Sequence, residues 1–389
     1  MIKRFSVFYV GQIDLDNVGH DGTAPDDRRY SNKELVQAYS NAEELAKHLD
    51  KLGYYAMWGA EHHFQREGYE CFPNLILLGV HLAGITKNLK FGNSFNIVPM
   101  WHPLRLAEDF AMADVMTKGR MIFGVGRGYQ SREVETFGAP LLDRDKNREL
   151  FEEQIEIILK AFNEDSFSHK GKHYTIPADV EFRGYELEEI TMVPRPLNLP
   201  VEIWQPVSSG NSIKFAAQNG IKIVIALTGE SIVDQFMGEY QNAAAEQGNK
   251  LALGQDTCLG FGFCIGDSLE DAIETVRPYH DERYKWFAPF GFVRYMDEQG
   301  RMWGTPGAPT RVPNVEDGVD QKAWLCGTSD QIVETLKHFE EKYPGLEDIV
   351  LQWPEGMPWS EFQDQLTRFA KEVMPQFITV ESDVVVADD

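Results

Sequence analysis

Cysteine is scarce, and what there is has no metal-type spacing. Cys71, Cys258, Cys264 and Cys326 are scattered through 389 residues. The pattern fits no disulfide framework and no zinc motif, and reduced, mostly buried thiols in a cytoplasmic protein are expected. Long apolar runs are also missing: no stretch approaches the roughly 20 residues of a membrane span. The first ten residues pair two basic side chains with a short apolar run. No cleavage site follows, so they read as a first strand rather than a secretory signal. Positive charge is in deficit, with 37 Lys and Arg against 61 Asp and Glu and a formal charge of −24. Such a field opposes nucleic acid and anionic membrane surfaces as partners. It also means that any phosphate-bearing ligand must meet a local cluster of cations or backbone donors. No internal repeat is visible.

What is present is alternation. Short β-rich runs at 5–10, 54–59, 89–98, 121–125, 201–205, 221–227, 257–265 and 349–353 predict eight strands. Amphipathic runs at 32–52, 73–86, 104–117, 144–163, 209–219, 231–247, 268–287 and 329–342 predict helices between them, with a last helix at 359–373. Strands alternating with helices imply a parallel sheet with crossover helices. Eight units predict an α/β (β/α)8 TIM barrel with insertions, for which ~250 residues is typical; an open doubly wound sheet is the alternative. One barrel domain is expected over 1–379, with insertions at about 167–200 and 288–320. The second of these is rich in Gly, Pro and aromatics and is a lid candidate. Residues 380–389 are expected to be a disordered acidic tail. Ser31 or Asn32, with Glu34 in the first turn, can cap the first helix, and Ser329 with Asp330 can start the helix at 329–342.

In such a barrel, chemistry sits just past the carboxyl ends of the strands. After the second strand comes Glu61-His62-His63-Phe64. A carboxylate with two histidines is material for proton transfer. Neighbouring residues on an extended chain point opposite ways, so one histidine is expected to face the barrel mouth. A metallohydrolase built on Glu61, His62 and His63 would need further ligands, and the spacing is not His-Glu-x-x-His. After the third strand, Trp101 either lines a pocket or packs. The fourth strand ends Gly124-Val125-Gly126-Arg127-Gly128. The third glycine comes one place too early for a dinucleotide fingerprint, and no helix opens directly behind it. The better reading is close backbone approach to a flat ligand, with Arg127 projecting toward a phosphate; pairing of Arg127 with a carboxylate such as Glu133 is the alternative. After the fifth strand, Ser208-Ser209-Gly210 opens a helix. This is either an anion site or an ordinary helix cap.

Together these segments resemble the bacterial luciferase-like flavin-dependent monooxygenases. The specific parts are Glu61-His62-His63-Phe64, then Pro99-x-x-His102-Pro103-Leu104-Arg105-x-Ala107-Glu108-Asp109, then Gly119-Arg120-x-x-Phe123-Gly124-Val125-x-Arg127-Gly128. The likeness runs from about residue 5 to 227 and resumes more weakly near 324–353. It implies a luciferase-like barrel that uses reduced FMN (FMNH2) and O2, through a C4a-peroxyflavin, to oxidise a small organic substrate. His62 would be the active-site histidine and Glu133 an acidic residue near the flavin. Arg127, Ser208 and Ser209 would hold the FMN phosphate, and Ser94–Phe95 falls where some members carry a non-proline cis peptide beneath the flavin ring. The sequence departs from luciferase at Gly126, where luciferase has a reactive cysteine, and at Trp101, which is bulkier than usual. Neither light emission nor a long-chain aldehyde is therefore expected. Phe287, Phe290, Phe292, Tyr295 and Trp303 are candidates for the inner wall of the lid, although each is equally consistent with ordinary packing. With no second nucleotide fingerprint, a separate NAD(P)H:flavin reductase is expected to supply the reduced flavin. A homodimer or heterodimer is the family expectation. A deazaflavin-dependent oxidoreductase on the same barrel and a non-catalytic flavin-binding subunit remain open alternatives.

Overall fold

Inward and outward positions alternate along every barrel strand, because successive side chains of a strand point to opposite faces. The structure is a computed structural model that describes residues 1–303 and 311–378. Its eight barrel strands are β1 (Arg4–Phe8), β2 (Ala56–Gly59), β3 (Lys90–Asn93), β4 (Met121–Gly126), β5 (Ile203–Pro206), β6 (Lys222–Ala226), β7 (Thr257–Ile265) and β8 (Asp348–Gln352). Each pairs in parallel with the next, and β8 pairs with β1, so the sheet closes on itself. At the β1 seam, Phe8 sits opposite both Trp58 and Gln352. The fold is thus the α/β (β/α)8 barrel that the alternation implied.

Two apolar layers result. Phe5 and Val7, Met57, Phe123 and Val125, Ile223 and Ile225, Leu259 and Phe261, and Ile349 and Leu351 face outward into the main core beneath the helices. Ala56 and Trp58, Ile122, Val224, Cys258 and Val350 face inward and plug the barrel, with Phe8 and Phe95 against them. The barrel is a packed core below and an open site only at its top.

Three departures from the sequence reading have local causes. The run 89–98 does not continue as one strand: β3 stops at Asn93, the Ser94–Phe95 bond is cis, and Asn96–Ile97 pairs separately with Val125 and Gly126. A short strand absent from the reading, Trp324–Gly327, pairs with the last four residues of β7, Gly262–Ile265. β7 is buried along all nine residues, so its upper half needs this second partner beyond β8. The helix Ser329–Lys342 is capped one residue earlier than read, by Thr328 with Gln331 completing a capping box. Ser31 caps the first helix with Glu34 closing the box. Between Asn163 and Ile203 the chain forms two small hairpins, His169–Lys170 with Thr175–Ile176 and Glu181–Phe182 with Tyr185–Glu186. The expected tail at 380–389, and residues 304–310 of the 288–320 segment, lie outside the described residues. No described helix is long and apolar enough to cross a membrane.

Candidate functional site

The strand ends enclose a cavity of about 480 Å³. Phe8, Trp58, Phe95, Val224, Cys258 and Val350 form much of its wall. Gln205 and Gln352 also line it, and each keeps a buried side-chain oxygen without a hydrogen-bond partner. Buried polar atoms are rarely left so; here they offer acceptors to whatever fills the cavity.

On one wall sits an imidazole between two carboxylates. His62 follows β2 and is 5% exposed. Its backbone is held by an N–H bond to the carbonyl of Phe72 at 2.9 Å. Its Nδ1 lies 3.2 Å from both oxygens of Glu133, which stands on the one-turn helix Ser131–Val134. Its Nε2 lies 3.2 Å from Glu70 and 3.2 Å from the Tyr129 hydroxyl. Tyr129 in turn donates to Glu70 at 3.1 Å, and Gln130 donates to Glu70 at 2.9 Å. Burial opposes charge on His62, but Glu70 and then Glu133 outweigh it, and its pKa is raised. Burial pushes the Glu70 carboxyl up, and the His62 charge only partly offsets this. Burial acts on Glu133 in the same direction, but His62 and the backbone N–H of His63 win and hold it below the usual carboxylate range. The cluster is therefore an ion pair, His62 with Glu133, beside a carboxyl that keeps its proton more readily. Such pairs with separated pKa values suit proton transfer.

A second wall is cationic. Arg127 follows β4, is half-buried, and lines the cavity. Its guanidinium has no hydrogen-bond or ion-pair partner among the described residues. Burial first, then repulsion from Arg148 and Arg144, lowers its pKa. The pairing with Glu133 does not form, because Glu133 is committed to His62. Ser208 and Ser212 line the same cavity at the N-terminus of the helix Gly210–Gln218. Ser209 does not: its Oγ caps this helix by accepting the N–H of Ser212. A helix N-terminus beside the Ser208 hydroxyl, with Ser212 turned back onto the Ser209 carbonyl at 2.8 Å and an arginine without a partner among the described residues, suits a phosphate.

The roof comes from the chain after the long helix Leu269–Phe287. Phe287, Phe290, Phe292, Arg294 and Met302 line the cavity there. Phe290 and Phe292 pack edge-on to Tyr129, with ring centroids 5.1 and 4.7 Å away. Tyr295 and Trp303 lie behind this roof and are not among its lining residues. Tyr295 accepts from the Trp324 indole at 2.8 Å, and Trp303 donates to the carbonyl of Arg311 at 3.0 Å. Trp101 also stands off the cavity, donating to Glu61 at 2.9 Å. That carboxylate further accepts the N–H of Ile97 at 2.7 Å and faces His63 at 3.2 Å. His62 and His63 thus engage different carboxylates and do not converge as metal ligands would.

Glycine at 124 serves a purpose other than the one read from the sequence. A Cβ there would meet the carbonyl oxygen of Asn93 at 1.7 Å, so the flat object that approaches it is the chain itself. Gly126 does border the cavity, beside Ser94 and Phe95. Sequence reasoning missed Glu70, Tyr129, Ser212, Gln205, Gln352 and Arg294. Tyr129 lies just beyond Arg127 and could have been found by reading two residues further. Glu70 has no local signal, since only the turn back from His62 through Phe72 brings it close.

A closed eight-stranded barrel with a titratable cluster at its mouth, and an arginine there with no partner among the described residues, has the layout of a barrel enzyme that binds an anionic ligand. Comparison with known proteins agrees. The sequence profile of the luciferase-like monooxygenases matches residues 10–344, and the chain belongs to that family. The oxygenase component of flavin-dependent trigonelline monooxygenase from Acinetobacter baylyi is 27% identical over 347 residues, covering 88% of this chain and 90% of that protein. The alkanal monooxygenase alpha chain of Aliivibrio fischeri is 24% identical over 59% of this chain and 61% of its own length. Among solved structures, the oxygenating constituent of 3,6-diketocamphane monooxygenase from Pseudomonas putida, in complex with FMN, superposes with a TM-score of 0.75 at 21% identity, covering 97% and 99% of the two chains. An F420-dependent secondary alcohol dehydrogenase shares the fold at a TM-score of 0.64 and 13% identity, over 97% of this chain and 99% of that one.

Proposed function

We propose that this chain is the oxygenase component of a two-component system. It takes reduced FMN from a separate NAD(P)H:flavin reductase and uses O2 to oxygenate a small organic substrate. The observation that carries this reading is the unpaired Arg127 facing a cavity whose wall also holds the buried His62–Glu133 pair. The residues fit the cofactor. Arg127, Ser208 and Ser212 would hold a phosphate, and the orphaned oxygens of Gln205 and Gln352 would meet the polar edge of a ring system. When bound, reduced flavin supplies the two electrons with which O2 gives one oxygen atom to the substrate and the other to water.

The protein supplies the surroundings. Phe287, Phe290 and Phe292, on the roof and the helix before it, keep water from the cavity. His62, held charged by Glu70 and Glu133 and facing Tyr129, has a proton to deliver at Nε2. Arg127 fixes the cofactor in place. A homodimer is proposed through the helices Leu75–Ala83 and Pro103–Met116, where Leu77, Met112 and Met116 are exposed apolar side chains.

Anaerobic titration with reduced FMN, followed by mixing with oxygenated buffer, tests the reading. Tight binding of reduced FMN, together with no steady-state NAD(P)H oxidation by the chain alone, is expected. Binding of a reduced deazaflavin in place of reduced FMN would overturn it in favour of a dehydrogenase or reductase. Substrate oxygenation abolished in His62→Ala would set aside a non-catalytic flavin-binding role.

A further inference from the structure

Among the described residues, Arg294 is a buried cation with no carboxylate partner. It is 9% exposed and lines the cavity from the roof. Among the described residues its guanidinium makes one hydrogen bond, from Nη1 to the carbonyl of Val207 at 3.0 Å, and it lies 5.8 Å from the Phe292 ring centroid. The rest of its N–H fork is unused. Its backbone is fixed: the carbonyl accepts the N–H of Gly229 at 2.9 Å, and the residue bridges to Thr228. The side chain is therefore placed, not loose.

This is unusual within the same molecule. Buried Arg28 pairs with Glu282 at 2.9 Å, and Arg283, on the same cavity wall, pairs with Glu355. A chain with 61 acidic residues has no shortage of partners to set beside a third arginine. An isolated buried charge is costly unless something pairs with it. Burial alone pushes the Arg294 guanidinium down to about 10. Arg127 reaches the cavity from the end of β4, and Arg294 reaches it from the roof. The two arginines come from different sides of the fold and can serve two anions.

We propose that Arg294 recognises the substrate, and that the substrate carries a carboxylate or similar oxyanion on an apolar, ring-sized body. This rests on the flavin reading above, which assigns Arg127 to the cofactor phosphate. Phe290 and Phe292 supply flat apolar walls next to Arg294, and the guanidinium supplies a planar fork that matches a carboxylate. The salt bridge forms on the roof segment itself, so binding the anion also holds the roof over the cavity.

Isothermal titration calorimetry tests this with benzoate, phenylacetate and 3-phenylpropionate against their neutral amides. Wild-type protein, Arg294→Gln and Arg294→Lys are compared with FMN bound, and FMN affinity is measured in parallel. At least one carboxylate should bind wild type about 10-fold or more tighter than its amide. Arg294→Gln should erase that preference, Arg294→Lys should keep part of it, and FMN affinity should stay within about two-fold in both. Equal binding of acid and amide by wild type, or a preference that survives Arg294→Gln, overturns the proposal. So does a loss of FMN affinity in Arg294→Gln as large as in Arg127→Ala, which would place the cofactor phosphate on Arg294. If wild type binds no FMN, the flavin reading fails, while the acid–amide comparison on the flavin-free protein still decides the role of Arg294. Melting curves identify a variant that has not folded, in which case Arg294→Lys alone decides.

Discussion

Both oxygens of Glu133 lie 3.2 Å from Nδ1 of His62, and one of them also accepts the backbone N–H of His63 at 2.8 Å. That second bond ties the carboxylate to the same loop as the imidazole, so the pair is oriented before any ligand arrives. Glu133 is thereby a positioning residue for His62. In Glu133→Gln the raised pKa of His62 should fall. The limb of the pH–rate profile that reports His62 should move to lower pH, kcat should fall by about 10- to 100-fold, and FMN affinity should be unchanged. A kcat loss with an unmoved profile would reject this role.

The same pair predicts a stability window. The folded pKa of His62 is raised, so its contribution is fully present below the ordinary histidine value of about 6.5 and is lost as pH rises through the folded value. The folded pKa of Glu133 is depressed, so its contribution is present above the ordinary glutamate value of about 4.3 and is lost as pH falls through the folded value. The melting-temperature difference between wild type and Glu133→Gln should therefore be largest between about pH 4.3 and 6.5. A difference that is flat from pH 4 to 9 would show that the pair is not coupled to folding.

Arg127→Ala should weaken binding of reduced FMN by about 10- to 100-fold, since a charge-assisted hydrogen bond contributes ~1.5–3 kcal/mol. Because the guanidinium has no partner among the described residues to leave stranded, the variant should melt near wild type. Flavin titration and calorimetry check both halves. Unchanged affinity would remove the phosphate from this position.

Two glycines on one strand should respond differently. Gly124→Ala sets a Cβ 1.7 Å from a backbone oxygen that has little room to move, and should lose about 3 kcal/mol or more, or fail to fold. Gly126→Ala meets the Cβ of Phe95 at 3.2 Å and should fold with a modest loss, while narrowing the cavity and weakening the cofactor. Denaturant melts and flavin titration of both variants separate the effects. Equal tolerance of the two would contradict the packing described.

Much of the scaffold was legible in the chain itself. Short apolar runs such as Lys222–Ala226, buried on both faces, and long amphipathic runs such as Arg144–Asn163 report burial, and that is a local property. Eight such alternations determine the barrel, and the barrel determines where to look for chemistry. His62 and Arg127 could therefore be singled out simply as the residues that follow the second and fourth strands. Tertiary structure alone decided which side chains meet there. Glu70 reaches His62 only because the loop after β2 doubles back, and Arg294 reaches the cavity only because the chain after Leu269–Phe287 folds over the mouth. Ser209 left the phosphate role because the helix takes its first residue at Gly210, which turns the Ser209 hydroxyl onto the N–H of Ser212. Trp101, Tyr295 and Trp303 found partners outside the cavity, since an indole N–H or a phenol hydroxyl buried anywhere requires one. Periodicity along a chain encodes burial. Contacts between loops tens to hundreds of residues apart depend on how the barrel closes, and no local pattern carries that.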